Sequence, residues 1–69
     1  MMRLQKRSFS LAAHRTSVAL EPEFWDALEQ IAAARGLVLS ALVSELDADR
    51  LPEQALASTL RIFALRHRP

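Results

Sequence analysis

The 69-residue chain has no cysteine, a single glycine and no long hydrophobic stretch. Without cysteine it can form neither a disulfide bond nor a cysteine-ligated metal site. The two histidines, His14 and His67, are far apart in the sequence, which argues against a metal site. No segment approaches the roughly 18 apolar residues that span a membrane. The chain has a basic start, but the apolar stretch after it is too short and too rich in serine for a secretory signal. We therefore expect a cytoplasmic protein without a metal ion or a cofactor.

Patterns typical of catalytic sites are also missing. The sequence contains no glycine-rich phosphate loop, paired-acid pattern or metal motif. The serines Ser8, Ser10 and Ser58 have no base nearby at a recognisable spacing, which argues against nucleophilic catalysis. We therefore predict that the protein is not an enzyme and has no catalytic residues.

The apolar content is high for so short a chain. Hydrophobic residues make up 51% of the sequence, whereas a domain of this size buries only about 60% of the surface that its unfolded chain exposes. Sharing a core with a second copy is the simplest way to bury this much apolar surface. The composition therefore predicts an obligate homodimer.

Charge is distributed unevenly, although the net charge is only +1. The first 20 residues contain no carboxylate, and residues 21–53 hold all eight. The cations of this first part are Arg3, Lys6, Arg7 and Arg15, and the end of the chain is basic again. A basic segment on a nearly neutral body is typical of a protein that binds a polyanion. For residues 1–6, a solvated and disordered tail is the alternative.

Two stretches near the start alternate between polar and apolar residues. In residues 15–20, Thr16, Val18 and Leu20 share one face, which predicts a short half-buried strand. Residues 7–11 alternate too, but their apolar residues are odd-numbered instead of even-numbered. Either a bulge or bend at residues 12–14 resets the phase, or residues 1–13 form a separate arm. We favour an extra strand or an ordered arm over disorder.

The rest of the sequence predicts three helices. The first, "PEFWDALEQIAAARG", begins at Pro22, carries an apolar stripe and ends at Gly36, which suits a left-handed helix C-cap. The second runs from about Val38 to Ala48, and the third, "EQALASTLRIFALRH", follows Pro52. The third helix is apolar around much of its girth, which indicates that it packs on two sides. This width again favours a dimer core or another partner.

The order strand, helix, glycine turn, helix resembles the ribbon-helix-helix DNA-binding proteins, the class of Arc, MetJ and CopG-type repressors. "RTSVALEPEFWDALEQIAAARGLVLSALVSEL", residues 15–46, matches without a gap. The flanking "KRSFSL" and "LRIFALRH" resemble an extended bacterial subfamily. The resemblance implies a mainly α fold with one short strand, in which an intertwined homodimer forms an intermolecular two-stranded antiparallel ribbon. We expect a basic N-terminal arm or extra strand in residues 1–13, a ribbon-helix-helix core in 14–50, and an additional C-terminal helix in 51–69 that packs on the dimer.

The resemblance also implies roles for individual residues. The outward strand residues Arg15, Ser17 and Ala19 would contact DNA bases. Contacts to phosphate would come from Lys6, Arg7, His14 and Ser40. The dimer core would comprise Val18, Leu20, Phe24, Trp25, Leu28, Ile31, Leu42, Leu46 and Phe63. The sequence departs from the family at Val38, which stands where the family has a capping Ser, Thr or Asn. Unlike those residues, valine cannot accept a hydrogen bond from the free N–H groups of the helix.

These expectations lead to a functional hypothesis. The chain would be a sequence-specific transcriptional regulator, a repressor, whose dimeric β-ribbon enters the major groove of double-stranded DNA. Two dimers could bind side by side on one operator, as in the family. The alternative is a protein-interaction module or an antitoxin-like protein whose C-terminal helix binds a partner protein. An amphipathic helix at residues 55–67 that lies on a membrane surface is a third and weaker hypothesis.

Overall fold

A computed structural model describes residues 3–12 and 14–68 and contains a strand hairpin followed by three helices. The elements are β1 (Gln5–Leu11), β2 (His14–Leu20), α1 (Pro22–Ala34), α2 (Leu39–Asp49) and α3 (Leu56–Arg66). The mainly α fold class, with a ribbon-helix-helix order and an extra C-terminal helix, is confirmed. The predicted helices are all present, and α1 begins at Pro22 as expected.

The two strands pair antiparallel along their whole length. Gln5 lies opposite Leu20, and Leu11 lies opposite His14. The chain reverses between Leu11 and His14, and residue 13 lies outside the described residues. Ala12 adopts a φ of 42°, a left-handed conformation that is uncommon for a residue with a Cβ. This turn resets the alternation, so that the apolar residues of both strands face the same core.

The pairing corrects one step of the sequence analysis. We expected a single strand that could find its neighbour only in a second copy, but β1 supplies a seven-residue partner within the same chain. The extra strand that we favoured for this region is therefore present, and a tight turn accounts for the opposite parity of the two stretches. The pairing of strands between two copies stays a prediction. The sheet contains these two strands alone among the described residues, so the other edge of β2 is unpaired in this part of the chain.

The core lies between one face of the hairpin and the helices. The α2 helix packs against β1, α3 packs against β2, and α1 contacts both other helices. The buried apolar residues are Phe9, Leu11, Val18, Leu20, Trp25, Leu28, Ile31, Ala32, Leu42, Val43, Leu60 and Ala64. Of the residues expected in a dimer core, Val18, Leu20, Trp25, Leu28, Ile31 and Leu42 lie here, whereas Phe24, Leu46 and Phe63 are partly buried at its margin. The burial of those six therefore does not require a second copy.

Trp25 joins the hairpin to α1. Its side chain is fully buried, and its indole Nε1–H donates a hydrogen bond to the carbonyl oxygen of Gln5, with 2.8 Å between nitrogen and oxygen. The ring of Phe9 packs against the indole with 5.8 Å between centroids. The guanidinium of Arg7 lies over the indole, 4.9 Å from its centroid. These contacts hold the inner face of β1 on the helix.

The two ends that meet between α1 and α2 differ in how they are capped. At the end of α1, Gly36 has a φ of 72°, and the N–H groups of Gly36 and Leu37 donate to the carbonyls of Ala33 and Ala32 at 3.0 and 2.8 Å. These two bonds form a Schellman motif, which confirms the predicted C-cap. At the start of α2, Val38 is the N-cap and makes no side-chain capping bond.

Among the described residues, no single helix is long and apolar enough to cross a membrane. The one helix pair that passes such a test together, α1 with α2, is bent by 98°.

Candidate nucleic-acid interface

Six side chains form the face of the hairpin that points away from the core. We call this set the hairpin face: Lys6, Ser8 and Ser10 of β1 with Arg15, Ser17 and Ala19 of β2. They lie opposite one another in three cross-strand pairs, Lys6 with Ala19, Ser8 with Ser17, and Ser10 with Arg15. Five of the six are exposed, and Ala19 is half-buried. The alternation of side chains along each strand produces this separation from the core.

Hydroxyl groups and cations determine the chemistry of the hairpin face. The Oγ atoms of Ser8 and Ser17 are 2.8 Å apart and share a hydrogen bond. Nη1 of Arg15 lies 3.5 Å from Oγ of Ser10, at the long limit for a hydrogen bond. The face bears two cations, Lys6 and Arg15, and no carboxylate. It can therefore attract an anion and hydrogen-bond to polar groups along both strands.

The ion pairs of the described residues lie elsewhere. They join Arg7 to Glu29, Arg50 to Asp47 and Arg61 to Glu21. Neither Lys6 nor Arg15 takes part in an ion pair within residues 3–12 and 14–68. Arg7 lies on the opposite face of β1 from Lys6, where it pairs with Glu29 and stacks on Trp25. Of the two adjacent cations of β1, only Lys6 belongs to the hairpin face.

The remaining expected phosphate contacts lie outside the hairpin face. His14 is exposed at the turn end of β2, and Ser40 is exposed in the first turn of α2. The first N–H groups of a helix have no intrahelical partner, and they favour anions together with the helix dipole. Val38, the N-cap, is 69% exposed and leaves that helix end open to solvent.

Glu21 follows the hairpin directly and is held by Arg61 of α3. Nε of Arg61 donates to Oε1 of Glu21 at 3.0 Å. A hydrogen bond from its own backbone, and then the hydrogen bond from Arg61, lower the pKa of the Glu21 carboxyl below its ordinary value of 4.5. The carboxylate nearest in sequence to the hairpin is thus paired with a cation of the same chain.

Sequence reasoning named the outward residues of β2 and Lys6 of β1 as DNA contacts, but it missed the two outward serines of β1. Ser8 and Ser10 were considered only as nucleophiles, whereas the structure brings them beside Ser17 and Arg15. Their alternation with Phe9 and Leu11 was the signal that could have assigned them to an outward face. Within the described part of the chain, no cluster of three or more histidine or acidic residues could hold a metal ion.

Comparison with known proteins defines the class. A family model described as a ribbon-helix-helix domain matches residues 4–68, so the chain belongs to the ribbon-helix-helix family. Membership supports a DNA-binding, regulatory kind of role, and the family is generally non-enzymatic.

One solved structure gives a more particular likeness. The chain is similar to an uncharacterized protein from Bordetella pertussis Tohama I, with 34% sequence identity and a TM-score of 0.77. The match covers 93% of this chain and 54% of that chain, so this chain spans about half the length of that relative. No curated protein matches the sequence.

Proposed function

We propose that the chain is a sequence-specific DNA-binding transcriptional regulator that acts as a repressor. The hairpin face carries this proposal, because it combines two cations without ion-pair partners in the described residues with three serines and no carboxylate. The major groove of B-DNA, about 12 Å wide, admits a two-stranded β-ribbon. The general role of the ribbon-helix-helix family supports the same conclusion.

Each residue of the proposed site has a contact that suits its chemistry. Arg15 can bind O6 and N7 of a guanine bidentately, Ser17 can hydrogen-bond to a base edge, and Ala19 can pack against the methyl group of a thymine. Contacts to phosphate come from Lys6, His14 and Ser40, the last together with the free N–H groups at the start of α2. Arg7 is not among the proposed phosphate contacts, because it pairs with Glu29 on the other face of β1.

We further propose that the protein binds its operator as a homodimer, with two dimers side by side on longer sites. The ribbon-helix-helix family typically binds DNA as dimers, which supports this arrangement. The outer face of α3 also exposes two large apolar side chains, Ile62 at 45% and Leu65 at 61%. A second copy that covers this face would remove both side chains from water.

Selection from a random pool of duplexes, followed by titration of an Arg15→Ala variant, tests the proposed function. We expect wild-type protein to enrich one sequence, and Arg15→Ala to weaken binding by about 1–3 kcal/mol and relax the preference at one base pair. Arg66→Ala removes a cation of α3 that is also exposed and serves as the matched control. A pool that never enriches would contradict the proposed function, and wild-type affinity in Arg15→Ala would contradict the role of Arg15.

Protein recognition is the second candidate function, and the exposure of Ile62 and Leu65 is the observation that favours it. In that case a partner protein, instead of a second copy, would cover α3. Light scattering distinguishes the two, because a stable dimer at all concentrations supports the homodimer. A monomer that enriches no DNA would favour the interaction module.

A further inference from the structure

The face of α3 that points away from the core has the spacing of a helix-helix contact. Four exposed residues form a stripe along it, at separations of three, four and three positions. We call this stripe the α3 seam: Ala55, Ser58, Ile62 and Leu65. Such spacing places side chains in line on a helix and is typical of coiled-coil contacts. The opposite side of α3 is occupied, because Leu60 and Ala64 are buried in the core.

The α3 seam has small side chains at its start and large ones at its end. A second α3 in the parallel direction would bring large side chains against large ones and small against small, which leaves a gap at one end. In the antiparallel direction, Leu65 faces Ala55, and Ile62 faces Ser58. This alternation of large and small side chains fills the space between two helices. The seam is therefore complementary in size to a second copy of itself in the antiparallel orientation.

We propose that α3 pairs antiparallel with α3 of a second copy, about a two-fold axis that crosses the seam between Ser58 and Ile62. The pairing rests on the proposed homodimer, and it specifies the surface, the orientation and the register of that dimer. A two-fold axis suits the seam, because every contact of a large side chain with a small one then occurs twice. Two copies would together remove four large apolar side chains from water.

The charges beside the α3 seam favour the same orientation. Antiparallel pairing brings Arg68 near Glu53 of the second copy, and neither residue forms an ion pair within residues 3–12 and 14–68. Parallel pairing would instead bring Arg68 near Arg68. An exposed ion pair adds little stability, but it favours one orientation over the other. Arg61, which flanks the middle of the seam, is already paired with Glu21, so two copies of Arg61 repel each other little.

The position of α3 allows strands and helices to pair about one axis. The helix packs against β2, the strand whose other edge is unpaired in the described part of the chain. A two-fold axis that pairs β2 with β2 of a second copy runs the two strands antiparallel and brings both α3 helices toward the axis. The expected intermolecular ribbon and the α3 seam can therefore belong to the same dimer interface.

Because the chain has no cysteine, disulfide crosslinks can test the register at chosen positions. Ala55→Cys and Leu65→Cys are prepared separately, and each is compared with an equal mixture of the two that is refolded together. In the antiparallel register, position 55 of one copy faces position 65 of the other. Two copies of position 55 lie about 15 Å apart along the helix, whereas a disulfide needs Cα atoms within about 7 Å. We therefore expect oxidation to link the mixture into dimers and to leave each variant alone unlinked.

A second pair and a control complete the experiment. Ser58→Cys mixed with Ile62→Cys repeats the test at the other contact of the seam and keeps both copies of Leu65, in case Leu65→Cys weakens the dimer. Val38→Cys mixed with Leu65→Cys is the matched control, because Val38 is exposed at the start of α2, away from the seam. We expect the second pair to link and the control to stay unlinked.

The possible outcomes separate the helix pairing from the homodimer on which it rests. Links in Ala55→Cys alone and in Leu65→Cys alone would show a parallel pairing and overturn the register. If light scattering gives the mass of a dimer and neither mixture links, the homodimer stands and the α3 seam is not its interface. A monomer mass for the wild type contradicts both. Circular dichroism of the reduced variants shows whether they fold, and the exposure of the four positions predicts intact helices.

Discussion

Gly36, the one glycine of the chain, has a backbone conformation that disfavours residues with a Cβ. Its φ of 72° is left-handed, although nothing lies within 4 Å of the position that a Cβ would occupy. We therefore expect Gly36→Ala to reduce the free energy of unfolding by about 1–2 kcal/mol through backbone strain alone. Urea denaturation measures this change. Gly36→Asn should lose less, because asparagine tolerates this conformation; equal stability of Gly36→Ala and the wild type would contradict the strain.

Glu21 makes stability depend on acidic pH. The pKa of its carboxyl is lowered by its own backbone and by Arg61, so its contribution to folding is fully present above the ordinary value of 4.5. That contribution is lost as the pH falls from 4.5 through the lowered pKa of the folded state. Thermal unfolding across this range should show a steeper loss for the wild type than for Glu21→Gln. Glu53→Gln, which removes a carboxylate outside the ion pairs of the described residues, should keep the wild-type slope.

The α2 helix begins without a side-chain cap, as α1 and α3 also do. Its N-cap, Val38, has an extended backbone and no side-chain capping bond, and its side chain is largely exposed. Val38→Ser should stabilise the protein by about 0.5–2 kcal/mol, because a serine hydroxyl can accept from a free N–H of the first turn. Denaturant titration measures the gain. Val38→Ala removes the same apolar surface without adding an acceptor, so an equal gain in that variant would contradict the capping explanation.

The sequence predicted the helices better than the hairpin. Helical spacing of apolar residues, together with Pro22, Gly36 and Pro52, located all three helices. In the hairpin turn, Ala12 adopts a left-handed conformation. Glycine or asparagine at such a position is the usual sequence signal of a tight turn, and alanine is not. Without that signal, the stretch around β1 could be interpreted as an arm, and β2 as a strand in need of a second copy.

The candidate site was predictable in part for a similar reason. Alternation alone places Arg15 and Ser17 on the outward face of β2, and the structure agrees on their exposure. The pairing of Arg7 with Glu29, 22 residues further along the chain, depends on how β1 docks on α1. The neighbours of Ser8 and Ser10 depend on the register of the hairpin. A one-residue slip would have turned these serines inward, so their place required the structure.

The whole molecule buries one core to which all five elements contribute, yet it leaves Ile62 and Leu65 exposed. If a second copy covers them, association stabilises the folded state by mass action. We expect the Tm to rise with protein concentration, and Leu65→Lys to abolish this rise. Leu51→Lys, at a site of similar exposure in the connection before α3, is the matched control.

Calorimetry at several concentrations measures this effect, and light scattering gives the mass. A Tm independent of concentration, together with a monomer mass, would contradict the homodimer. An unchanged concentration dependence in Leu65→Lys would place the interface away from this face of α3.

The single tryptophan gives the protein a built-in optical reporter. Trp25 is the only indole in the chain, and it is sealed between Phe9, Arg7 and the carbonyl oxygen of Gln5. Its emission should therefore be blue-shifted while the hairpin is docked, and move to the red when the hairpin detaches from α1. During titration with an operator, the emission maximum of Trp25 would then show whether the hairpin stays docked on α1 or detaches from it.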